Sequence, residues 1–149
     1  MTVRKATIKD AETIAEIEWE SGYRWRKSKK DCIKLVNSIF NEWHDKVYVI
    51  KIKKEPIGYI ALSNKNKETE LDNMGIRKKF QGKGFSKLLM NKAINIANKN
   101  KSKEIYLNVW AKNFTALSLY NRYGFYVIDI KKKHYPNGDD KLRMRKDLK

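Results

Sequence analysis

Short runs of alternating apolar and polar residues recur along this chain and predict β-strands with one buried face. The pattern occurs at residues 2–7, 46–52, 56–63, 68–77, 103–110, 125–132 and 141–148. Turn-forming sequences, KKEP at 53–56 and YPNGDD at 135–140, join two consecutive pairs of these strands as hairpins. Gly75 interrupts the fourth run, which indicates either a β-bulge or a close approach of another part of the backbone.

Other segments have apolar residues at every third or fourth position, which is the spacing of an amphipathic helix. They cover residues 11–21, 28–44, 85–99 and 111–125. Asp10 and Asn113 are the expected N-caps of the first and last helices, and Gly22 and Gly124 are their expected ends. On the first helix, the stripe predicted to face the core consists of Ala11, Ile14, Ala15 and Trp19.

The order of these elements predicts an α/β protein of the α+β kind, with a mixed sheet covered by helices on both faces. The length of 149 residues predicts one domain, spanning residues 1–149.

The chain is strongly basic, with 34 Lys and Arg against 17 Asp and Glu and a formal net charge of +17. Such a charge favours contact with polyanions, which include phosphorylated cofactors, nucleic acid and ribosomes. The alternative interpretation is a solvated lysine-rich surface that has no polyanionic partner.

Cysteine and histidine usage excludes several kinds of site. The single Cys32 excludes an internal disulfide and, within an apolar pattern, indicates a buried thiol. His44 and His134 belong to no cluster with metal-ligand spacing, so no metal is expected. No apolar run is long enough to span a bilayer, and residues 1–10 lack a signal-peptide core. We therefore expect a cytoplasmic protein without membrane contact.

A glycine pair, Gly82 and Gly84, leads from the fourth strand directly into a helix. The first N–H groups of a helix lack intrahelical partners, and glycines let such a backbone approach an anion, so this arrangement predicts a phosphate site. A nucleotide P-loop requires Ser or Thr after its lysine, but Lys83 is followed by Gly84. A dinucleotide fingerprint requires a third glycine, and the sequence continues with Phe85 and Ser86 instead.

The same loop resembles the coenzyme A signature of the GNAT superfamily of N-acetyltransferases. Gln81 and Gly84 match the first fixed positions of its Gln/Arg-x-x-Gly-x-Gly/Ala pattern, and Ser86 stands where Gly or Ala is usual. Downstream, LNVWAKNFTALSLYNRYGF at residues 107–125 is similar to the second motif of the family, in which Asn, Ala, Leu-Tyr and Gly-Phe recur in that order. The two motifs and their order cover most of residues 55–149.

This resemblance implies a central mixed sheet of six to seven strands, mostly antiparallel, splayed between strands 4 and 5 and flanked by about four helices. It also implies acetyl-CoA as cosubstrate, with its pyrophosphate on the loop amides and its pantetheine arm along the fourth strand. Lys79 and Lys83 would add positive charge, and Arg77 would steer the anion. The residues implied in coenzyme binding are Met74, Gly75, Ile76, Gln81, Gly82, Lys83, Gly84, Phe85, Ser86 and Asn113.

The implied chemistry is direct attack of a neutral amine on the acetyl thioester. Ile76 would supply a backbone N–H to the carbonyl oxygen. Tyr120, at the Leu-Tyr position, would protonate the departing thiolate, the alternative being a core-packing role. Glu70 and Asp72 alternate onto one face of the fourth strand and are candidate bases, the alternative being solvated strand ends.

The tail, residues 131–148, resembles the closing hairpin of the protein N-terminal acetyltransferases of the ribosomal-protein-alanine type. In that group the hairpin walls a peptide slot, which makes Tyr135 the expected substrate-binding residue. The sequence departs from the group at Asn108, where a glutamate is expected, and in the loop after the first helix. A protein N-terminal amine is the predicted acceptor.

Two alternatives remain open. The VWAKN segment at residues 109–113 also resembles the branch that acetylates polyamines. A basic aromatic loop with Tyr23, Arg24, Trp25 and Arg26 is typical of RNA-stacking surfaces, so a binding module for RNA or the ribosome is the other hypothesis. The sequence leaves monomer and homodimer equally open.

Overall fold

The protein is described by a computed structural model that covers residues 1–21, 28–43 and 46–149. Gly22, His44 and the basic aromatic loop at residues 23–26 lie outside the described residues, so the predictions made for them are not addressed by the fold.

Seven strands and four α-helices alternate along the described chain. The strands are β1 Thr2–Lys5, β2 Lys46–Ile52, β3 Glu55–Lys65, β4 Glu68–Ile76, β5 Glu104–Trp110, β6 Tyr126–Lys131 and β7 Lys141–Asp147. The helices are α1 Ala11–Glu20, α2 Lys29–Ser38, α3 Phe85–Lys99 and α4 Phe114–Arg122. Short helical turns occur at Ile8–Asp10, Ile39–Trp43 and Lys78–Phe80.

The strands form one mixed sheet in the order β1-β2-β3-β4-β5-β7-β6. β4 and β5 run parallel, whereas β1–β2, β2–β3, β5–β7 and β6–β7 are antiparallel. The parallel pairing joins Glu68 through Leu71 to Glu104 through Leu107 and then stops, although β4 continues to Ile76 and β5 to Trp110. The predicted fold class, including an interruption between strands 4 and 5, is confirmed.

The chain divides into two compact units. Unit 1 comprises Met1–Ser63 and Asp72–Ala93, and unit 2 comprises Asn64–Leu71 and Ile94–Lys149.

In unit 1, α1 and α2 pack on one face of the strands through a continuous apolar cluster. Its buried members include Ile14, Ile17, Cys32, Val36, Val47, Val49 and Tyr59. The buried state of Cys32 confirms the prediction of a buried thiol. On the other face, Lys92 of α3 places its ammonium 4.6 Å from the centre of the Tyr48 ring.

In unit 2, the buried apolar side chains come from β5, α4 and the residues around them. On β5 they alternate with polar ones, so that one face of this strand is buried and the opposite face carries Tyr106 and Asn108. The buried residues of the unit include Ile105, Leu107, Val109, Leu119, Tyr120, Phe125 and Met144.

Two details of α1 differ from the sequence predictions. Trp19 keeps 39% of its surface exposed, and the buried face is formed by Ile14, Ala15, Ile17 and Glu18. Asp10 stands at the expected N-cap position, but its carboxylate accepts from the Thr7 N–H at 2.8 Å and pairs with Arg4 at 2.7 Å. It therefore closes the turn before α1 and does not cap the helix itself.

The reason for Gly75 is a close approach from α1. A β-carbon at this position would lie 2.8 Å from Ser21 Oγ and 3.0 Å from Tyr59 Cε1. Tyr59 is itself fixed, because its hydroxyl donates to the fully buried carboxylate of Glu18. The sequence interpretations of this glycine are a β-bulge or a close backbone approach, and the structure shows a close approach of side chains instead.

Candidate active site

The glycine loop, residues 81–86, is tied to the end of β4. The side-chain Nε2 of Gln81 donates to the Ile76 carbonyl at 2.9 Å. Gly82 and Gly84 have φ angles of 73° and 83°, in the left-handed region that favours glycine. These two turns deliver the chain into α3, which begins at Phe85.

The space above the loop is open. A β-carbon built on Gly82 or Gly84 would meet no heavy atom within 4 Å. Helix α3 has 15 residues, its first N–H groups have no intrahelical acceptor, and its dipole adds partial positive charge at this end. The loop therefore has the features that an anion needs: accessible N–H donors, positive potential and no side chain in the way.

Two of the three cations expected to assist the anion are engaged within the protein. Arg77 keeps only 14% of its side chain exposed, donates to the Pro56 carbonyl at 2.8 Å and pairs with Glu20 and Glu16. Lys79 pairs with Glu55 at 2.6 Å. A surface cleft of about 520 Å³ is lined by Glu20, Glu55, Arg77, Lys78 and Lys79. Arg77 thus ties α1 to β3, and its charge is compensated by carboxylates.

Lys83 remains close to the loop itself. Its ammonium lies 5.7 Å from the centre of the Phe80 ring, on the exposed side of the turn. It is the loop cation available to a bound anion.

The edge of β4 next to the loop points two backbone N–H groups away from β3, and neither of them is paired with β5 within the described residues. The Arg77 N–H donates to the Ile57 carbonyl of β3 at 2.8 Å. Because successive residues of a strand point their N–H and C=O groups to opposite edges, the amides of Ile76 and Met74 face away from β3. The Ile76 carbonyl, which points the same way, accepts from Gln81. Met74 and Ile76 therefore offer two parallel N–H donors to an extended amide.

The two candidate bases have different surroundings. Glu70, in unit 2, is held by Arg143 in a two-pronged ion pair at 2.5 and 2.8 Å. Asp72, in unit 1, is half-buried. The ion pair with Arg143 occupies both oxygens of Glu70. Asp72 stands closer along β4 to Met74 and Ile76.

Helix α4 places Tyr120 in the interior of unit 2. The Asn113 side chain accepts from the Ala116 N–H at 3.2 Å, which confirms it as the N-cap, and Gly124 ends the helix with φ of 86°. The Tyr120 ring is 7% exposed and lies 5.8 Å from the Phe125 ring. Burial raises the pKa of Tyr120 to about 12, because the tyrosinate would lose its hydration. The phenol is therefore protonated at neutral pH.

The turn that carries Tyr135 is anchored to the end of β5. Asp139 accepts from Trp110 Nε1 at 2.8 Å and pairs with Lys112 at 2.9 Å. Burial raises the pKa of Tyr135, and its ring packs edge-on against His134 with centres 4.9 Å apart.

A second aspartate completes this anchoring. Asp140 accepts from the Lys133 N–H at 3.0 Å, and its carbonyl accepts from Ala111 N–H at 3.0 Å. Hydrogen bonds to the ionised carboxylates lower the pKa of both aspartates. Sequence reasoning identified the turn residues but missed the anchoring of Asp139 by Trp110, since nothing local links positions so far apart in the chain.

Within the described part of the chain, no three His, Cys, Asp or Glu side chains gather in a way that could hold a metal ion. None of the described helices has the length and apolar character needed to cross a bilayer.

Comparison with known proteins agrees with this architecture. Residues 11–125 match the profile of the Acetyltransferase (GNAT) family. A probable spermine N(1)-acetyltransferase of Bacillus subtilis subsp. natto is 41% identical over 63 residues, which are 42% of this chain and 41% of that protein. The [ribosomal protein bS18]-alanine N-acetyltransferase of Haemophilus influenzae is 35% identical over 80 residues, 54% of each chain. These matches thus span only about half of either relative.

Solved structures share the fold over nearly the whole chain. Ard1 from Thermoplasma volcanium superposes with a TM-score of 0.88 at 19% identity, covering 99% of this chain and 97% of that one. The ribosomal-protein-S18-alanine N-acetyltransferase of Escherichia coli superposes with a TM-score of 0.86 at 20% identity, covering 99% of this chain and 93% of that one. A chain of the NatC complex bound to Gag peptide and CoA gives 0.80 at 21% identity, covering 99% and 98%.

Proposed function

The chain belongs to the GNAT family of acetyltransferases, and from this premise we propose that it transfers an acetyl group from acetyl-CoA to the N-terminal amine of a polypeptide. The observation that carries the proposal is the open glycine loop at the start of α3, whose amides and positive end suit a pyrophosphate.

The residues around the loop fit coenzyme A. The amides of Gln81, Gly82, Lys83, Gly84 and Ser86 would hold the pyrophosphate, with Lys83 adding its charge. The N–H groups of Met74 and Ile76 would pair with the amides of the pantetheine arm, as an added strand does at a sheet edge. Bound acetyl-CoA supplies the activated thioester. Phe85 and Asn113 remain the other predicted contacts.

The protein's own groups then serve the transfer. The Ile76 N–H would stabilise negative charge on the acetyl oxygen as the amine attacks, a contribution of about 3 kcal/mol for a preorganised donor. Tyr120, which is protonated at neutral pH, would give its proton to the departing sulfur. Asp72 and Glu70 are the candidate bases for the incoming ammonium, and Asp72 is the nearer of the two to Ile76 along β4.

Three observations support a polypeptide N-terminus as the acceptor. The anchored turn holds Tyr135 in a fixed, half-buried position, which suits the wall of a peptide slot. The Haemophilus influenzae relative acetylates a ribosomal protein alanine, and the NatC structure contains a peptide beside CoA. A net charge of +17 also disfavours polycationic acceptors.

Polyamine acetylation is the second candidate, because the 63-residue match to a spermine acetyltransferase has the higher identity, 41%. A panel of matched acceptors separates the two functions. Short peptides with free N-termini, spermidine, spermine and an aminoglycoside are compared by kcat/KM with acetyl-CoA in excess. We expect the peptides to be the better substrates. A preference for spermine or spermidine would overturn the proposal.

Coenzyme binding is tested separately, by calorimetric titration of the protein with coenzyme A. We expect saturable binding that is weakened by Gly84→Ala. Absence of binding at about millimolar ligand, where even a weak site of about 4 kcal/mol is half occupied, would contradict the assignment of the loop.

A further inference from the structure

The exposed face of unit 2 contains a cationic cleft beside Asn108. The cleft has a volume of about 350 Å³, and its lining residues are Asn108, Asp129, Lys131, Lys141 and Arg143. They come from three neighbouring strands, β5, β7 and β6, so the cleft rests on rigid, hydrogen-bonded elements. Three cations and one carboxylate give the lining a net positive charge.

The cleft combines two lysines that the fold sets directly against each other. Lys131 and Lys141 are cross-strand partners in the β6–β7 ladder. Like charges directly opposite on a sheet are destabilising. Among the described residues, neither lysine has a carboxylate within ion-pair distance, whereas neighbouring Lys132 and Lys112 pair with Asp140 and Asp139 at 3.3 and 2.9 Å. In this part of the sheet, the charges of Lys131 and Lys141 are therefore not compensated by an ion pair among the described residues.

The remaining charges of the cleft do not neutralise this pair. Arg143 stands opposite Asn108 on β5 and opposite Asp129 on β6, and its guanidinium is already held by Glu70. The positive field also extends to the adjoining turn. The pKa of His134 is lowered, first by partial desolvation and then by the charges of Lys141 and Lys131. The opposed lysines lower the stability of the sheet and stabilise no other contact, and such local conflicts are expected at functional surfaces.

We propose that this cleft binds a carboxylate of the acceptor, so that the preferred substrate is a polypeptide with an acidic residue close behind its N-terminal amine. Lys131 and Lys141 supply the charge, and the exposed Asn108 amide supplies a hydrogen-bond donor. The inference rests on the proposed function and specifies the substrate class. The positive charges of Lys131 and Lys141 also repel polyamines, so the cleft would discriminate against these cationic acceptors.

Kinetics with matched peptides test the proposal. Three series of peptides share the same first residue and differ only in whether Glu, Gln or Lys stands at the second, third or a later position. For each peptide, kcat/KM is measured with the full chain and saturating acetyl-CoA. We expect the best Glu peptide to exceed its Gln counterpart by roughly three- to tenfold, as a partly exposed ion pair allows, and the Lys counterpart to be poorer still. The preference should shrink at about 0.5 M NaCl, where the Debye length is only about 4 Å.

Variants of the cleft show whether these lysines are responsible. Lys131→Gln with Lys141→Gln should abolish the preference for Glu, and Lys131→Glu should shift it towards the Lys peptide. Lys99→Gln, on α3 and outside the cleft lining, removes one positive charge without affecting the preference. Because the cleft substitutions remove the repulsion between Lys131 and Lys141, the melting temperature should stay unchanged or rise. A loss of the preference for the Glu peptide could then not be ascribed to unfolding.

A turnover-independent readout separates this inference from the proposed function. Binding of the labelled Glu, Gln and Lys peptides is followed by fluorescence anisotropy with coenzyme A present. Acetylation of all three peptides at equal rates, with equal binding, would overturn the cleft assignment and leave N-terminal acetylation intact. Selective binding of the Glu peptide without any acetylation would support the cleft and overturn the proposed function.

Discussion

The phenol of Tyr120 illustrates how burial sets the chemistry of a single side chain in this protein. Its pKa is raised to about 12, above an unfolded value of about 10, because the interior disfavours the charged tyrosinate. The folded state therefore holds this proton more tightly than the unfolded chain. The resulting contribution to stability is fully present below pH 10 and is lost as the pH rises from about 10 to about 12.

We predict that Tyr120→Phe lowers kcat by more than about tenfold, because the ring and its packing are retained while the proton donor is lost. The Kd for coenzyme A and the melting temperature should change little. Steady-state kinetics and calorimetric titration measure the two quantities independently. A parallel loss of kcat and of coenzyme affinity would show that the hydroxyl has a structural role instead.

Individual side chains were predictable where the cause is local. Asn113 is recognisable as a cap because the N–H that its side chain accepts from belongs to Ala116, only three residues along the helix. Trp19 was wrongly placed in the core, because helical periodicity alone does not say how wide the buried stripe is. The buried pairing of Tyr59 with Glu18 joins residues 41 positions apart and leaves no trace in local sequence.

At the scale of elements, the glycine loop is stabilised at its ends and open at its centre. Gln81 fixes one end to β4, and the first turn of α3 fixes the other, with the Lys87 N–H donating to the Gly84 carbonyl at 3.2 Å. Between them, two positive-φ glycines leave the backbone exposed. Such a loop presents a preformed concave array of amides, so little ordering is required when an anion binds.

We predict that Gly84→Ala costs about 1 kcal/mol of folding stability, since the residue must keep a φ of 83°, which is unfavourable for alanine. The affinity for coenzyme A should fall by much more than this cost implies, because the new methyl group projects into the open space above the amides. Thermal unfolding and calorimetry measure the two effects. Lys87→Ala, on the exposed side of the same helix, serves as control, and an equal fall in affinity for both variants would contradict the loop assignment.

The elements themselves followed closely from the hydrophobic pattern, and β2 spans the predicted residues 46–52. Strand partners did not follow, because register is set by contacts distant in sequence. Arg143 reaches Glu70 across 73 residues, and this pair changed the assignment of Glu70 from a free base to one end of an ion pair. The turn at residues 135–140 is predicted by the sequence, but its anchoring by Trp110 is not.

At the scale of the whole molecule, the net charge of +17 acts on every charged partner at once. It raises encounter rates with anions such as coenzyme A and opposes the approach of polycations. Family and fold were predictable because two short motifs fix them, whereas the acceptor depends on surfaces assembled from β5, β6 and β7. Asn108, Lys131 and Lys141 are separated in sequence, and only the sheet register unites them in one cleft.

The net charge also yields a prediction for nucleic acid, the alternative partner suggested by the loop at residues 23–26. We expect only non-specific RNA binding, with an affinity that falls steeply as salt rises from about 50 to about 200 mM. Filter binding or anisotropy with a random single-stranded RNA measures it. Tight binding that is insensitive to salt and selective for sequence would indicate a dedicated RNA site.

The early end of the β4–β5 pairing has a consequence for hydrogen exchange. The amides of Gly75 and Arg77 face β3 and should exchange slowly, whereas those of Met74 and Ile76 face the opposite edge and should exchange quickly in the free protein. A ligand that adds itself to β4 as a strand would slow exchange at Met74 and Ile76 while leaving their two neighbours unchanged. The change in protection at every second one of four consecutive amides, residues 74–77, would thus reveal the bound coenzyme in solution.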